Sequence, residues 1–363
     1  MDFGLSEEQR LLETNLRRYL ETERPVPRLR QIMATAEGRD DGLWQALAEM
    51  GVLGVLGPED EGGSGLGLLD AAVAAEQLGR AVAPAPLLGT AVMAATALAS
   101  AGTPAQRKEW LPKIASGAVR VGVAATELFH PREGFGFRTE AGRLHGRALM
   151  VLDAASDAYL VPVGAGGLAL VPRSAEGLEV TLLPTIDRTR RFAEIAASGV
   201  AAVEWIGGSE GAARAAIRRM IDAGRVAVAA DVLGACEVAI ERSVAYAQQR
   251  VQFGRPIGSF QAVKHLCAEM IAELEPARSL VWYAAHAFDA LPDEATLLAA
   301  HAKAHLCEIG TFIVRTATEV HGGIGFTDEH DLHLWFKRVG VDRQLLGTPD
   351  GAREDAARLQ GWM

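Results

Sequence analysis

Two glycine-rich loops carry the side chains best suited to binding chemistry. The first, Arg250-Val251-Gln252-Phe253-Gly254-Arg255-Pro256-Ile257-Gly258-Ser259-Phe260-Gln261, sets cations, an aromatic ring and amides between two long helix-period segments. An arginine fork donates in pairs to a pyrophosphate, glycine lets backbone approach closely, and Phe253 offers a ring face. A plain helix-to-helix connector with solvent-facing arginines is the competing reading. The second loop, Glu319-Val320-His321-Gly322-Gly323-Ile324-Gly325-Phe326, follows another helix-period segment. Glycine there is also an ordinary helix C-cap residue. Two such loops in one helical region favour a shared surface for a phosphorylated cofactor over either loop alone.

Other clusters read as structure. Gly164, Gly166 and Gly167 lie between the strand-like runs AYLVPV and LALVP, so they predict a hairpin turn and not a phosphate loop opening a helix. His330 and His333 have HxxH spacing in acidic surroundings with no further convincing ligand set, which predicts a solvated helix start and no metal site. Cys236, Cys267 and Cys307 lack CxxC spacing and sit in apolar helix-like stretches, against a disulfide framework or a zinc site. A reducing cytoplasm is the expected location. The 363 residues are 49% hydrophobic and 23% charged, and the net charge of −10 offers no long-range attraction to nucleic acid or an anionic membrane. MDFGLSEEQ carries acids where a leader needs a basic stretch, and no apolar run reads as a membrane span. The expectation is a soluble protein without membrane insertion.

The elements that must position these loops differ in hydrophobic period. From Ser6 to about Ser116 apolar residues recur at helical spacing, with Ser6 and Gln9 forming a capping box and Gly57, Pro58, Gly62, Gly63 and Gly65 a long turn. Short β-type runs follow: Val119 to Ala125, Leu144 to Leu152, Ala158 to Val163, Leu168 to Val171, Leu178 to Leu183 and Val200 to Trp205. Helical period then returns over roughly 209–252, 260–290 and 293–320, with shorter segments beyond. The order predicts an α+β fold in three domains, 1–116 helical, 117–207 β and 208–363 a helical bundle. It disfavours a doubly wound nucleotide fold.

On these residues the sequence resembles the acyl-CoA dehydrogenase family of flavoproteins. The likeness rests on MDFGLSEEQ, on Gly57-Pro58-Glu59-Asp60-Glu61-Gly62-Gly63, on RVQFGRPIGSFQAVKH with its highly specific RxxFGxxIxxFQ pattern, and on HGGIGF. It spans nearly the whole chain. The resemblance implies an N-terminal helical domain, a middle β-domain and a C-terminal four-helix bundle, assembled as a dimer of dimers around FAD. It also implies that Arg250, Gln252, Phe253 and Gln261 from the first loop, with Glu319, Gly322 and Gly323 from the second, reach the FAD held mainly by the neighbouring subunit. Glu319 stands where the family commonly has glutamine.

The family reaction takes the α-proton of an acyl-CoA thioester with a carboxylate while a hydride leaves to the flavin, so a general base is indispensable. By resemblance the base belongs at Leu346, in Leu345-Leu346-Gly347-Thr348, or at Gly224, just before Arg225. Neither is a carboxylate. Asp222 lies far around the helix from Gly224, and Asp350 or Glu354 would need the turn rebuilt. In the β-domain the family's flavin-cradling segment corresponds to Ala125-Thr126-Glu127-Leu128-Phe129-His130-Pro131, where only Thr-Glu survives. A second such segment corresponds to Met150-Val151-Leu152-Asp153-Ala154. Thr126 is the remaining candidate at the chain's own flavin pocket. The resulting expectation is a non-catalytic subunit of a heterotetrameric acyl-CoA dehydrogenase of actinobacterial steroid catabolism, completing the FAD site of a homologous catalytic subunit that acts on an acyl-CoA. An electron-transfer flavoprotein is an expected partner of the whole. The alternatives are a self-sufficient homotetramer with an off-pattern base, and a non-enzymatic scaffold.

Overall fold

The computed structural model describes residues 4–363, so the first three residues of the MDFGLSEEQ segment lie outside the described residues. Helix α1 (Glu7–Glu23) begins at Ser6, whose hydroxyl accepts from the Gln9 backbone N–H at 3.2 Å while the Gln9 side chain accepts from the Ser6 N–H at 3.0 Å. This is the capping box the sequence predicts. Helices α2 (Val26–Ala34), α3 (Asp41–Glu49) and α4 (Leu68–Arg80) follow, with the glycine-rich turn between α3 and α4. The buried segment Leu87–Ala94 is wound as a π-helix and runs into α5 (Ala95–Ala101), after which α6 (Pro104–Ala115) closes the helical region.

The middle of the chain forms a mixed sheet. Its strands are β1 (Val121–Val123), β2 (Gly136–Glu140), β3 (Arg143–Leu152), β4 (Ala158–Val163), β5 (Gly167–Pro172), β6 (Leu178–Leu183), β7 (Phe192–Val200) and β8 (Glu204–Ile206). They lie in the order β6-β7-β3-β1-β4-β5-β8, with β2 pairing both β3 and β4. Gly164 turns the β4–β5 hairpin at φ +55°, as its surroundings predict. Two of the expected strands change their bounds, and β2 and most of β7 form where the sequence reading has no strand. The expected strand from Val200 to Trp205 is instead the end of β7 and the short β8, because the alanines of FAEIAASGV hide a strand whose partners β3 and β6 supply the order. The expected run to Ala125 stops at Val123, and Thr126–Phe129 forms the one-turn helix α7.

The rest is helical. Helix α8 (Glu210–Gln249) is 40 residues long and is covered on several sides by α4, α5 and the later helices, so every residue from Asp222 to Cys236 is buried. A small hairpin, β9 (Val251–Gln252) and β10 (Arg255–Pro256), leads to α9 (Gln261–Ala290) and then α10 (Pro292–His321), α11 (Leu332–Asp342) and α12 (Pro349–Leu359). One expectation needs correcting here. The segment Pro292–Phe326 is long and apolar enough to cross a membrane by length and composition, but 61% of its apolar window is buried inside the protein. Its apolar faces pack on α8, α9, α11 and α12 as a core helix.

A buried ion cluster joins the sheet region to the bundle. Arg338 of α11 donates to both Asp231 oxygens of α8 at 2.9 and 2.7 Å, while Arg190, just before β7, reaches Asp231 at 3.0 Å and Asp342 at 3.2 Å. Burial opposes charge on both carboxyls. On Asp231 the two arginines outweigh it and hold the group below the ordinary range, whereas on Asp342 burial prevails and pushes it well above.

Candidate functional site

Helix α8 ends at Arg250, whose N–H bonds to the Tyr246 carbonyl oxygen at 2.8 Å. The chain then folds back at once, with Gln252 paired to Arg255 across a two-residue turn. Such a turn needs positive φ at both central residues, and here they are Phe253 at +54° and Gly254 at +76°. Glycine adopts this freely. Phenylalanine does not, and Phe253 is also 91% exposed, so a strained residue is held out in solvent. Its ring meets Phe260 edge-on at 6.1 Å, and Arg255 lies 4.1 Å over the same Phe260 ring. Gln261 opens α9. Among the described residues, the exposed side chains of Arg250, Gln252 and Gln261 make no hydrogen bond or ion pair.

The second loop is fastened to the first. At the end of α10 the buried His321 ring stacks on Tyr246 at 4.6 Å, one helical turn before Arg250, and His330 lies 4.7 Å beyond His321. Gly322 follows at φ +67° and ψ −150°, a conformation open to glycine almost alone. Gly322 and Gly323 are exposed in a 3-10 turn that runs to Phe326. The structure thus brings Arg250, Gln252, Phe253, Gly322 and Gly323 to one end of the bundle. Glu319 is exposed too, but it lines a groove with Glu273, Glu308 and Arg315, a mostly acidic setting that does not complement a pyrophosphate.

The expected solvated start at His330 and His333 is not what forms. His333 is 6% exposed and bonds Asp328 at 2.9 Å, and His330 is packed into the ring stack. Burial lowers the pKa of both. No cluster of three metal-ligating side chains exists among the described residues. The cysteines are free, with Cys236 and Cys307 buried.

The two positions expected to hold a base are in contact with each other. A Cβ added at Gly224 would lie 2.6 Å from Leu346 Cδ1 and 3.1 Å from Met93 Cγ and Sδ. Leu346 is 5% exposed and has φ +55°, so its strained backbone turns the side chain onto α8. Arg225 locks that turn, donating from Nε to the Leu346 carbonyl oxygen at 3.1 Å and pairing with Asp355 at 2.6 Å, with its guanidinium 5.2 Å from the Phe129 ring. Arg225 is therefore a structural clamp. The space where either carboxylate would project is filled by Leu346 and Met93, which hold no proton acceptor of use. Nothing local in the sequence marks Met93 as a neighbour of Gly224, or Phe129 as a neighbour of Gly347 and Arg225.

The nearby acids face elsewhere. Asp222 is buried and accepts from Thr296 Oγ1 at 2.7 Å on α10, and burial pushes its carboxyl up to about 6. Asp350 pairs with Arg353 at 3.0 Å and Glu354 with Arg358 at 3.2 Å, both on exposed positions of α12.

The fit to a flavin dinucleotide is uneven. At the bundle end, unpaired donors, bare glycine backbone and an exposed ring match the phosphates and ring of such a group. In the β-domain the match is poor. The Thr126 hydroxyl is turned to the Met150 carbonyl oxygen at 3.3 Å, and Met150 and Asp153 adopt φ values of +53° and +58°. The Asp153 carboxylate points inward to accept from the Gly89 N–H at 3.0 Å, with burial pushing its pKa up to about 6.

Comparison with known proteins identifies the family. A family model described as the acyl-CoA dehydrogenase N-terminal domain matches residues 6–118, and one described as the C-terminal domain matches residues 212–360. The chain is 34% identical to acyl-CoA dehydrogenase IpdE2 of Mycolicibacterium smegmatis over 357 residues, covering 98% of this chain and 99% of that one. It is 33% identical to IpdE2 of Mycobacterium tuberculosis over 338 residues, 92% of this chain and 90% of the other. Among solved structures, a chain of the steroid ACAD Tcur3481-Tcur3483 superposes with a TM-score of 0.88 at 32% identity, covering 98% of both chains. A chain of the ChsE4-ChsE5 complex from Mycobacterium tuberculosis superposes with a TM-score of 0.90 at 26% identity over the full length of both.

Proposed function

The chain belongs to the acyl-CoA dehydrogenase family, and from that premise we propose that it is the non-catalytic subunit of a heterotetrameric acyl-CoA dehydrogenase. The contact between Leu346 and Gly224, closed by Met93, carries this reading. It removes the base from both of the family's base positions and fills the space in which one would act. The intact bundle loops carry the other half: they present to a neighbour what a dinucleotide needs, while the chain's own β-domain does not.

FAD bound at the partner's site supplies the hydride acceptor of the reaction. Toward that group Arg250 offers a charged fork for the pyrophosphate, Gln252 and Gln261 offer amides, Phe253 a ring face, and Gly322 and Gly323 close backbone approach. The catalytic subunit contributes the carboxylate and binds the acyl-CoA. Names of the similar proteins support a steroid-derived acyl group, and an electron-transfer flavoprotein is the proposed acceptor for the assembled, cytoplasmic complex. A self-sufficient enzyme working through Asp350 or Glu354 finds no support, because both acids are exposed and paired along α12.

The test is the visible absorption spectrum of the chain purified alone and after co-expression with its closest full-length homologue carrying the glutamate. Flavin bands in the complex, absent from the lone chain, are expected. Flavin in the lone chain that bleaches on adding an acyl-CoA overturns the proposal, and a colourless mixture favours a scaffold. In the complex, Arg250→Ala is expected to weaken FAD retention by roughly thirtyfold, the equivalent of about 2 kcal/mol for a charge-assisted phosphate contact.

A further inference from the structure

A groove of about 470 Å³ lies where the end of α1, the α1–α2 turn, the end of α4, α8 and α11 meet. This is within the range of small-molecule sites, about 300–1,000 Å³. Neither the bundle loops nor the base positions contribute to it. Its floor is apolar, made by Leu20, Val26, Ala81, Val238 and Trp335.

Its polar wall is rich in donors. Most are already engaged: Arg80 is held by Glu237 and Glu241, Arg24 pairs with Asp40 at 3.1 Å, and Arg17 binds Glu13 at 2.8 Å and the Gln77 amide oxygen at 3.0 Å. Arg24 Nε, though ion-paired, lacks a hydrogen bond, and two further side chains keep free donors. The Gln77 side-chain nitrogen is buried with no hydrogen-bond partner, in a residue 1% exposed. Arg242 lies 4.3 Å from the Trp335 ring, and the carboxylate it faces, on Asp331, is 3.8 Å away, beyond hydrogen-bond range. Of the two acids in the wall, Glu241 is engaged by Arg80 and Glu21 is exposed at the rim.

We infer that this groove binds a small amphipathic carboxylate, its apolar body on Leu20, Val238 and Trp335 and its charged end on Arg242, with the Gln77 amide as a second donor in the same wall. An apolar floor alone would take any hydrocarbon. The loosely paired, half-buried guanidinium over an indole selects for an anionic end, because an Arg without a hydrogen-bonded carboxylate gains from one that completes its fork. The site is independent of the flavin surface, so it stands or falls separately from the subunit assignment.

Isothermal titration of the full chain with octanoate, and with 1-octanol as the uncharged control, tests it. Saturable octanoate binding, tighter than that of octanol, is expected. Ala245→Trp, placed at an exposed position of α8 in the groove wall, abolishes it, and Arg242→Gln weakens it about tenfold. No saturable octanoate binding, equal affinity for octanol, or undiminished binding to folded Ala245→Trp overturns the inference. Circular dichroism checks the fold of that variant, and should it unfold, undiminished binding to Arg242→Gln overturns the inference by itself.

Discussion

A missing side chain and an added one do the same work at positions 224 and 346. Gly224 leaves room on α8, and Leu346 fills it. Gly224→Ala is therefore expected to destabilise the chain by about 1–3 kcal/mol through overpacking, measured by urea unfolding. Because the clash is with one partner, Leu346→Ala should recover part of that loss in the double variant, a coupling that distant sites do not show. Asp222 yields a pH prediction at the same scale. Its folded pKa, about 6, is raised by burial above the unfolded value. The stability it contributes is full below the unfolded pKa and is lost as pH rises from about 4 through about 6. Asp222→Asn removes that dependence, so its stability relative to the parent should rise by about 2 kcal/mol between pH 4 and pH 7. A flat difference across that range would show that Asp222 titrates normally.

At the level of elements, the β9–β10 hairpin trades local stability for presentation. A two-residue turn of this kind favours Asn-Gly, yet Phe253-Gly254 stands there with the phenyl ring in solvent. Phe253→Asn is expected to raise the melting temperature of the lone chain slightly while lowering FAD retention in the complex. A fall in both would mean that the ring serves the fold. The loop motif was legible in the sequence because its arginine, glutamines and glycines are adjacent in the chain. The strain at Phe253 was not, since φ depends on the register of the strands around it. The stack of Tyr246, His321 and His330 was equally hidden, because residues from two helices and a loop meet only when α8 and α10 lie side by side.

Across the whole molecule, the sheet region and the bundle are joined by charge in a dry interior. Asp231 accepts from Arg190 and Arg338, residues 41 and 107 positions away. Removing the acid takes away the carboxylate that both buried guanidinium groups share and leaves Asp342 alone beside them. Asp231→Ala should thus cost about 3–5 kcal/mol, and the loss should appear in one cooperative unfolding transition if the junction belongs to the common fold. Two transitions would show instead that the sheet region and the bundle unfold separately. The same interior explains why the apolar α10 is a core helix: its neighbours cover the faces that composition alone would assign to lipid.

The sequence by itself determined the succession of helical and strand periods, the capping box at Ser6, the two loops with their donors, and the absence of a carboxylate at Leu346 and Gly224. These depend on residue identity and on neighbours within a few positions, where backbone sterics and side-chain period act directly. Only the tertiary structure decided that Leu346, Gly224 and Met93 occupy one space, that the two loops share one end of the bundle, and that Glu319 belongs to an acidic groove. Each of these is a packing relation between distant segments, set by which faces the helices bury against one another, and no local pattern encodes the partner of a buried face.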